Sequence, residues 1–212
     1  VSCSICEKRK AVRFCPAKGE KICAVCCGTE REVTLDCPAD CSYLLAAHRY
    51  EDEHRKPSAG EVPFSEVSFS SDVIYERQPV LSGLAFTILK SADSQPALTD
   101  LDALAALRAL AEAYKTLLTG IYYEKPPDAS LPRALYAALV QFLQQARQKD
   151  TQRTGFTGLR DSEVFYLLVF LLRVGTLRTN GRPRTRRFLG FLRTQFTKSP
   201  ELAREEPRII VP

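Results

Sequence analysis

The stretch CSICEKRKAVRFCPAKGEKICAVCCGTEREVTLDCPADC, residues 3–41, holds every cysteine of the 212-residue chain: Cys3, Cys6, Cys15, Cys23, Cys26, Cys27, Cys37 and Cys41. Eight thiols is the number that two tetrahedral four-ligand zinc ions require. Two C-x2-C pairs, Cys3/Cys6 and Cys23/Cys26, have the short spacing that lets both sulfurs reach one ion at ~2.3 Å. A segment of under about 60 residues cannot stabilise itself by apolar burial alone, and bound metal supplies the missing folding free energy. Sulfur ligands also suit iron–sulfur clusters, although the ferredoxin run C-x2-C-x2-C-x3-C-P is absent. Disulfides would need an oxidising compartment, for which nothing in the chain argues. Two zinc ions are the expectation, and the spacing leaves their partition open, sequential or interleaved.

Outward from this stretch the chain turns ordinary. With 45% hydrophobic and 26% charged residues overall, it is excluded from the collagen-like, wholly disordered and multi-span membrane classes. A charged helical stretch, Tyr43 to Lys56, ends the cysteine-rich part, closed by Pro57, Ser58 and Gly60. Glu61 to Gln78 carries short alternations, Val67-Ser68-Phe69 and Val73-Ile74-Tyr75, that suit brief strands or an extended linker. From Pro79 to Lys90, apolar residues recur at spacings of three and four, the stripe of an amphipathic helix.

The clearest helix starts at Thr99 or Asp100, carries Leu101, Leu104, Leu107, Ala111, Tyr114 and Leu118, and stops at Gly120 before Pro126 and Pro127. Ser130 opens another, with Pro132 tolerated in its first turn, and Thr151 to Gly158 reads as a loop. Arg160 to Val174 is apolar nearly all round and belongs at the centre; its longest apolar run, Val164 to Leu172, is far short of the ~20 residues a membrane span needs. Thr185 to Thr197 offers a last helix. The expected fold is mainly α: a two-zinc module of short hairpins plus a helix over 1–57, a linker with short strands and a first helix over 58–97, a helical bundle over 98–200 and a tail over 201–212. The chain opens directly into cysteine spacing, with no secretory leader pattern, which makes the cytoplasm the expected location.

The formal charge of +5 is unevenly spread. Residues 1–57 carry ten basic and nine acidic groups, but Val164 to Pro200 carries no acid and eight bases. Arg178, Arg182, Arg184, Arg186 and Arg187 crowd the turn around Asn180-Gly181, which makes them the candidate partner-binding residues. Gly181-Arg182-Pro183 is similar to the core of minor-groove AT-hook arms. Guanidinium groups suit nucleic-acid phosphate, an anionic membrane surface or carboxylates on a protein partner; the alternative is a solvated loop between two core helices.

The residues between the cysteines, C-x2-C, then Phe14-Cys15, then Gly19-Glu20-Lys21-Ile22-Cys23-Ala24-Val25-Cys26, resemble the B-box class of cross-brace zinc fingers over about 40 residues. In that class the first and third ligand pairs share one ion and the second and fourth share the other. The resemblance therefore implies Cys3, Cys6, Cys23 and Cys26 at the first zinc, and Cys15, Cys37, Cys41 and one more at the second. Lys18 stands where the family has its fourth ligand and cannot coordinate, so Cys27 takes that role, and Cys37 and Cys41 replace the family's terminal histidines. His48, seven residues beyond Cys41, lies two helical turns and ~10 Å away along a helix, which makes it a helix-surface residue rather than a ligand.

Sites of four thiolates leave no open coordination position, so these metals are expected to be structural. Phosphate-loop, dinucleotide, nucleophile-elbow and HExxH motifs are all absent, and the two histidines fall in one charged helix. The expectation is a non-enzymatic zinc-binding adaptor or accessory subunit of a larger protein assembly, with nucleic-acid or ribosome binding through the arginine loop as the alternative. A cysteine-rich head on a helical body is also similar to uncharacterised bacterial proteins and to accessory subunits on the cytoplasmic side of a bioenergetic complex such as a photosynthetic reaction centre.

Overall fold

Arg13–Cys15 (β1) and Glu20–Ile22 (β2) pair antiparallel, Phe14 opposite Lys21, because Gly19 takes a left-handed φ of +70° and lets its N–H and that of Lys18 both return to the Cys15 carbonyl. The computed structural model describes residues 1–54, 62–121, 123–156 and 158–196. After the hairpin come two helices of the head, α1 (Ala24–Glu30) and α2 (Ser42–His54). Then follow α3 (Ser71–Glu76), α4 (Gln78–Ser94), α5 (Asp100–Leu118), α6 (Ser130–Thr154), α7 (Asp161–Arg178) and α8 (Arg187–Gln195). The protein is mainly α with a small N-terminal hairpin.

Helix α7 is the axis of the body. Val164, Leu167, Leu168, Val169, Leu171 and Leu172 are all buried, consistent with its lack of a polar face. Helix α5 packs along it, α6 against α4 and α5, and α8 against α4 and α7. Two glycines permit the closest approaches. A Cβ on Gly83 of α4 would stand 2.1 Å from the Phe142 ring of α6, and one on Gly175 of α7 would stand 2.6 Å from Leu104 of α5. Thr99 starts α5, its N–H and hydroxyl both bonding to Asp102, and the Arg160 N–H bonds to Glu163 at the start of α7.

Three expectations change. The brief strands expected near residues 67–75 give way to α3, because Ser70 caps Asp72 (3.1 Å) and starts a helical turn there. The segment expected as a linker is part of the body: Arg173 of α7 bonds to the carbonyls of Pro63 (3.1 Å), Phe64 (2.6 Å) and Val67 (2.6 Å), and Phe64 and α4 join the main core. Helix α6 also runs further than expected, through Thr151 to Thr154, before Gly155 ends it at φ +80°. The stop at Pro57, Ser58 and Gly60, the end of the bundle at 197–200 with Lys198, and the tail 201–212 lie outside the described residues.

Candidate metal centre and its dock on the helical body

The first C-x2-C loop closes when Glu7, at φ +53°, donates its N–H to the Cys3 carbonyl (2.8 Å). The second lies at the start of α1, where Cys23 is the cap residue and its sulfur accepts from the Cys26 N–H (3.3 Å). The hairpin ends in Ile22, which is fully buried and packs in one cluster with Cys3, Cys15, Cys23, Cys26, Cys27 and Leu35. This brings the sulfurs of Cys3, Cys6, Cys23 and Cys26 within 4.8 Å of one another, a group that could hold one metal ion. A tetrahedral ion with ~2.3 Å bonds separates its sulfurs by about 3.8 Å, and Cys6 and Cys23 stand 4.0 Å apart, well beyond a disulfide bond.

The electrostatics of the four thiols suit a cation among them. Burial opposes ionisation of Cys3, but the backbone N–H groups of Cys6, Cys23 and Ile5 outweigh it and bring the thiol down to about 6. For Cys6 the N–H groups of Lys8 and Arg9 act in the same direction. Cys26 moves the other way: burial, and then the facing Cys23, Cys6 and Cys3 side chains, push it up to about 12. The scaffold favours the first thiolates and penalises the last, and a divalent cation among them removes that penalty.

Cys15, Cys27, Cys37 and Cys41 are gathered less tightly. All four line one cavity of about 10 Å³, roofed by Ile22, Leu35, Tyr43 and Leu44. Cys15 comes from the end of β1, Cys27 from α1, and Cys37 and Cys41 from the loop leading into α2. Burial pushes the Cys37 thiol up, and the neighbouring Cys41 and Cys15 add to the shift. Adjacent residues Cys26 and Cys27 thus face different clusters. Among the described residues these four do not reach the mutual 4.8 Å of the first group.

The arginine turn between α7 and α8 reaches back across the molecule to the head. Arg182 donates to the carbonyls of Gly28 (3.1 Å) and Arg31 (2.6 Å), just beyond the cysteines of α1. Arg186 pairs with Asp36 and donates to the Pro96 carbonyl (2.7 Å). Arg187, only 7% exposed, bridges Glu51 (2.9 Å) and Asp52 of α2. Arg178 lies over the Phe191 ring at 4.3 Å and, like Arg184, is exposed, while the Arg184 backbone N–H bonds to the Glu32 carbonyl (2.8 Å).

Two buried carboxylates hold the two sides of this turn: Glu32, which the sequence did not single out, on the head, and Asp100, expected only as a helix start, within the body. Glu32, at φ +54° and 3% exposed, accepts from Asn180 (2.8 Å) and pairs with His48 (3.0 Å). Burial opposes its charge, but His48 and Asn180 outweigh it and hold Glu32 below the ordinary carboxylate range. Asp100, fully buried, accepts the N–H groups of Phe188 (2.9 Å) and Leu189 (3.1 Å) and so caps α8, while its own N–H bonds to Thr185 (2.9 Å). Burial pushes Asp100 up to about 6 in spite of those donors. His48 lies on the surface of α2, where it meets Glu32 of the head. His54 stacks on Tyr50 at 4.0 Å. The one available signal was complementary: residues 30–53 carry seven acids against two bases, and the loop opposite carries only bases.

No helix of the described residues is long and apolar enough to cross a membrane. Comparison with protein-family models, with curated proteins and with solved structures finds no match for this chain.

Proposed function

We propose that this chain is a non-enzymatic, two-zinc scaffold that serves as an adaptor or accessory subunit of a larger protein assembly. The observation that carries the reading is the sulfur cluster: Cys3, Cys6, Cys23 and Cys26 lie within 4.8 Å of one another, with Cys6 and Cys23 4.0 Å apart, which supports one four-thiolate ion. Cys15, Cys27, Cys37 and Cys41 around one small cavity support a second ion, with modest closure of the thiols as it binds. The interleaving of the two sets along the chain supports the B-box-like cross-brace reading. With four thiolates each, both ions have filled coordination spheres, and their role is to stiffen.

A stiff head clamped to a helical platform suits a protein that holds partners at fixed geometry. The assembly is a complex of protein subunits, with the cytoplasmic face of a bioenergetic complex such as a photosynthetic reaction centre as the candidate setting. Nucleic-acid binding through the loop has less support, because Arg182, Arg186 and Arg187 are already engaged within the chain.

Two measurements test the reading. Elemental analysis of chelator-free protein is expected to return two zinc ions per chain, with Cys23→Ser and Cys37→Ser each losing one. Purification from the source organism after nuclease treatment is expected to retain a stoichiometric protein complex. Protein without zinc, or a complex that nuclease disperses, would overturn it.

A further inference from the structure

The head is electrostatically two-sided, and only one side is matched within the chain. Its acidic half, Glu32, Asp36, Glu51 and Asp52, meets Asn180, Arg186 and Arg187 of the body. Its basic half lies within residues 1–21, where Lys8, Arg9, Lys10, Arg13, Lys18 and Lys21 face only Glu7 and Glu20 as counter-charges. Lys8, Lys10, Lys18 and Lys21 are exposed and have no ion-pair partner among the described residues. None of residues 1–22 contributes a hydrogen bond or ion pair to the dock, so this side is turned away from the contact with the body.

That side is also ordered. From the bridge at Lys10 into β1, exposure alternates: Lys10, Val12 and Phe14 are exposed, and Ala11, Arg13 and Cys15 turn inward. Lys21 lies directly opposite Phe14 on the neighbouring strand and shares its face. Phe14 is 57% exposed and Val12 59%, side by side on the face that carries Lys10 and Lys21, while Ile22 at the end of the neighbouring strand is buried. An exposed phenyl ring on a strand with ammonium groups along the strand and across from it is the arrangement that stacks a base while holding the neighbouring phosphates.

We propose that the hairpin face Lys10–Val12–Phe14–Lys21, flanked by Lys8 and Lys18, binds single-stranded nucleic acid, with Phe14 as the stacking platform and the lysines as phosphate contacts. An acidic protein segment would satisfy the lysines but gives the bare ring no planar partner, which is why nucleic acid is favoured. The site is separate from the arginine turn and goes beyond the scaffold role.

The test uses the full-length, zinc-loaded protein and a fluorescein-labelled fifteen-nucleotide oligouridylate, followed by anisotropy. Binding is expected to weaken with salt at a log–log slope near about −3, from about four phosphates at ~0.7 each. Phe14→Ala is expected to weaken it roughly tenfold, within the range of a lost base–aromatic stack. Lys10→Glu with Lys21→Glu is expected to abolish it, and Arg184→Glu, on the exposed part of the turn, to leave it unchanged. Zinc content and far-UV circular dichroism establish that each variant is folded. Absence of binding at 50 mM salt, no effect of Phe14→Ala, or equal binding of polyglutamate would overturn the proposal; two zinc ions retained in that case would leave the scaffold reading standing.

Discussion

Residues 1–54 bury three large aliphatic side chains, Ile22, Leu35 and Leu44, and otherwise fill their interior with cysteines, whereas the body buries Leu81, Leu84, Ile88, Leu107, Leu139, Leu167, Leu168 and many more around α7. The contrast follows from chain length. Helices of up to 25 residues can each lay an apolar stripe on a shared core, but a head of 3-residue strands, a 7-residue helix and a 13-residue helix that buries only Leu44 has little of such a stripe to offer. On the proposed two-zinc reading, ligand bonds do in the head what side-chain packing does in the body. The two meet through arginine and carboxylate groups, so each half keeps its own source of stability.

The sharpest way to break this contrast is to take away the metal. A strong chelator is expected to unfold the head while the body keeps its helical signal, an effect on the order of 10 kcal/mol for a structural zinc. Hydrogen exchange resolved along the chain would read it, with protection lost from residues 1–54 alone. Equal loss in both halves would mean that the body depends on the head.

The reverse experiment acts on the packing. Leu168→Ala, at a fully buried position of α7, is expected to cost the body about 2–5 kcal/mol in denaturant unfolding while zinc content stays unchanged. Sequence patterning made this half of the molecule readable in advance: the start of α5 at Thr99 and Asp100, the start of α6 at Ser130 and the central place of α7 all follow from periodicity and capping residues. It misread residues 67–75, because alternation over so few residues fits a strand and a capped helical turn equally well, and the Ser70 cap decided the matter.

A pH series sharpens the comparison at the join. Asp100, raised to about 6 from an ordinary value of 3.8, binds its proton more tightly folded than unfolded. Its contribution to stability therefore falls as pH rises from about 4 to about 6, by on the order of 2–3 kcal/mol, and Asp100→Asn is expected to remove that slope. Glu32, held low, acts with opposite sign: its contribution is present above the ordinary carboxylate range and lost as pH falls through its folded value. Thermal unfolding from pH 3.5 to 7 of the unsubstituted protein, Asp100→Asn and Glu32→Gln would separate the two.

The smallest expected effect is at the clamp. Arg182→Ala leaves the Gly28 and Arg31 carbonyls without their donor and is expected to cost about 1–2 kcal/mol, read as loosened protection of α1 with zinc content intact. An unchanged α1 would show that the head holds its place without the arginine turn.

The sequence by itself determined which residues would be available for metal, because cysteine spacing is local and chemically specific, and where the long helices of the body lie, because a 3.6-residue period is written into neighbouring residues. It also marked the arginine turn as charge in search of a partner. Only the tertiary structure decided that much of that partner is the chain's own head, that Glu32 and Asp100 are buried at the join, and that the unmatched charge lies on the far hairpin instead. Those outcomes depend on residues more than 80 positions apart meeting in space, and complementary charge at such separations leaves no periodic trace along a single chain.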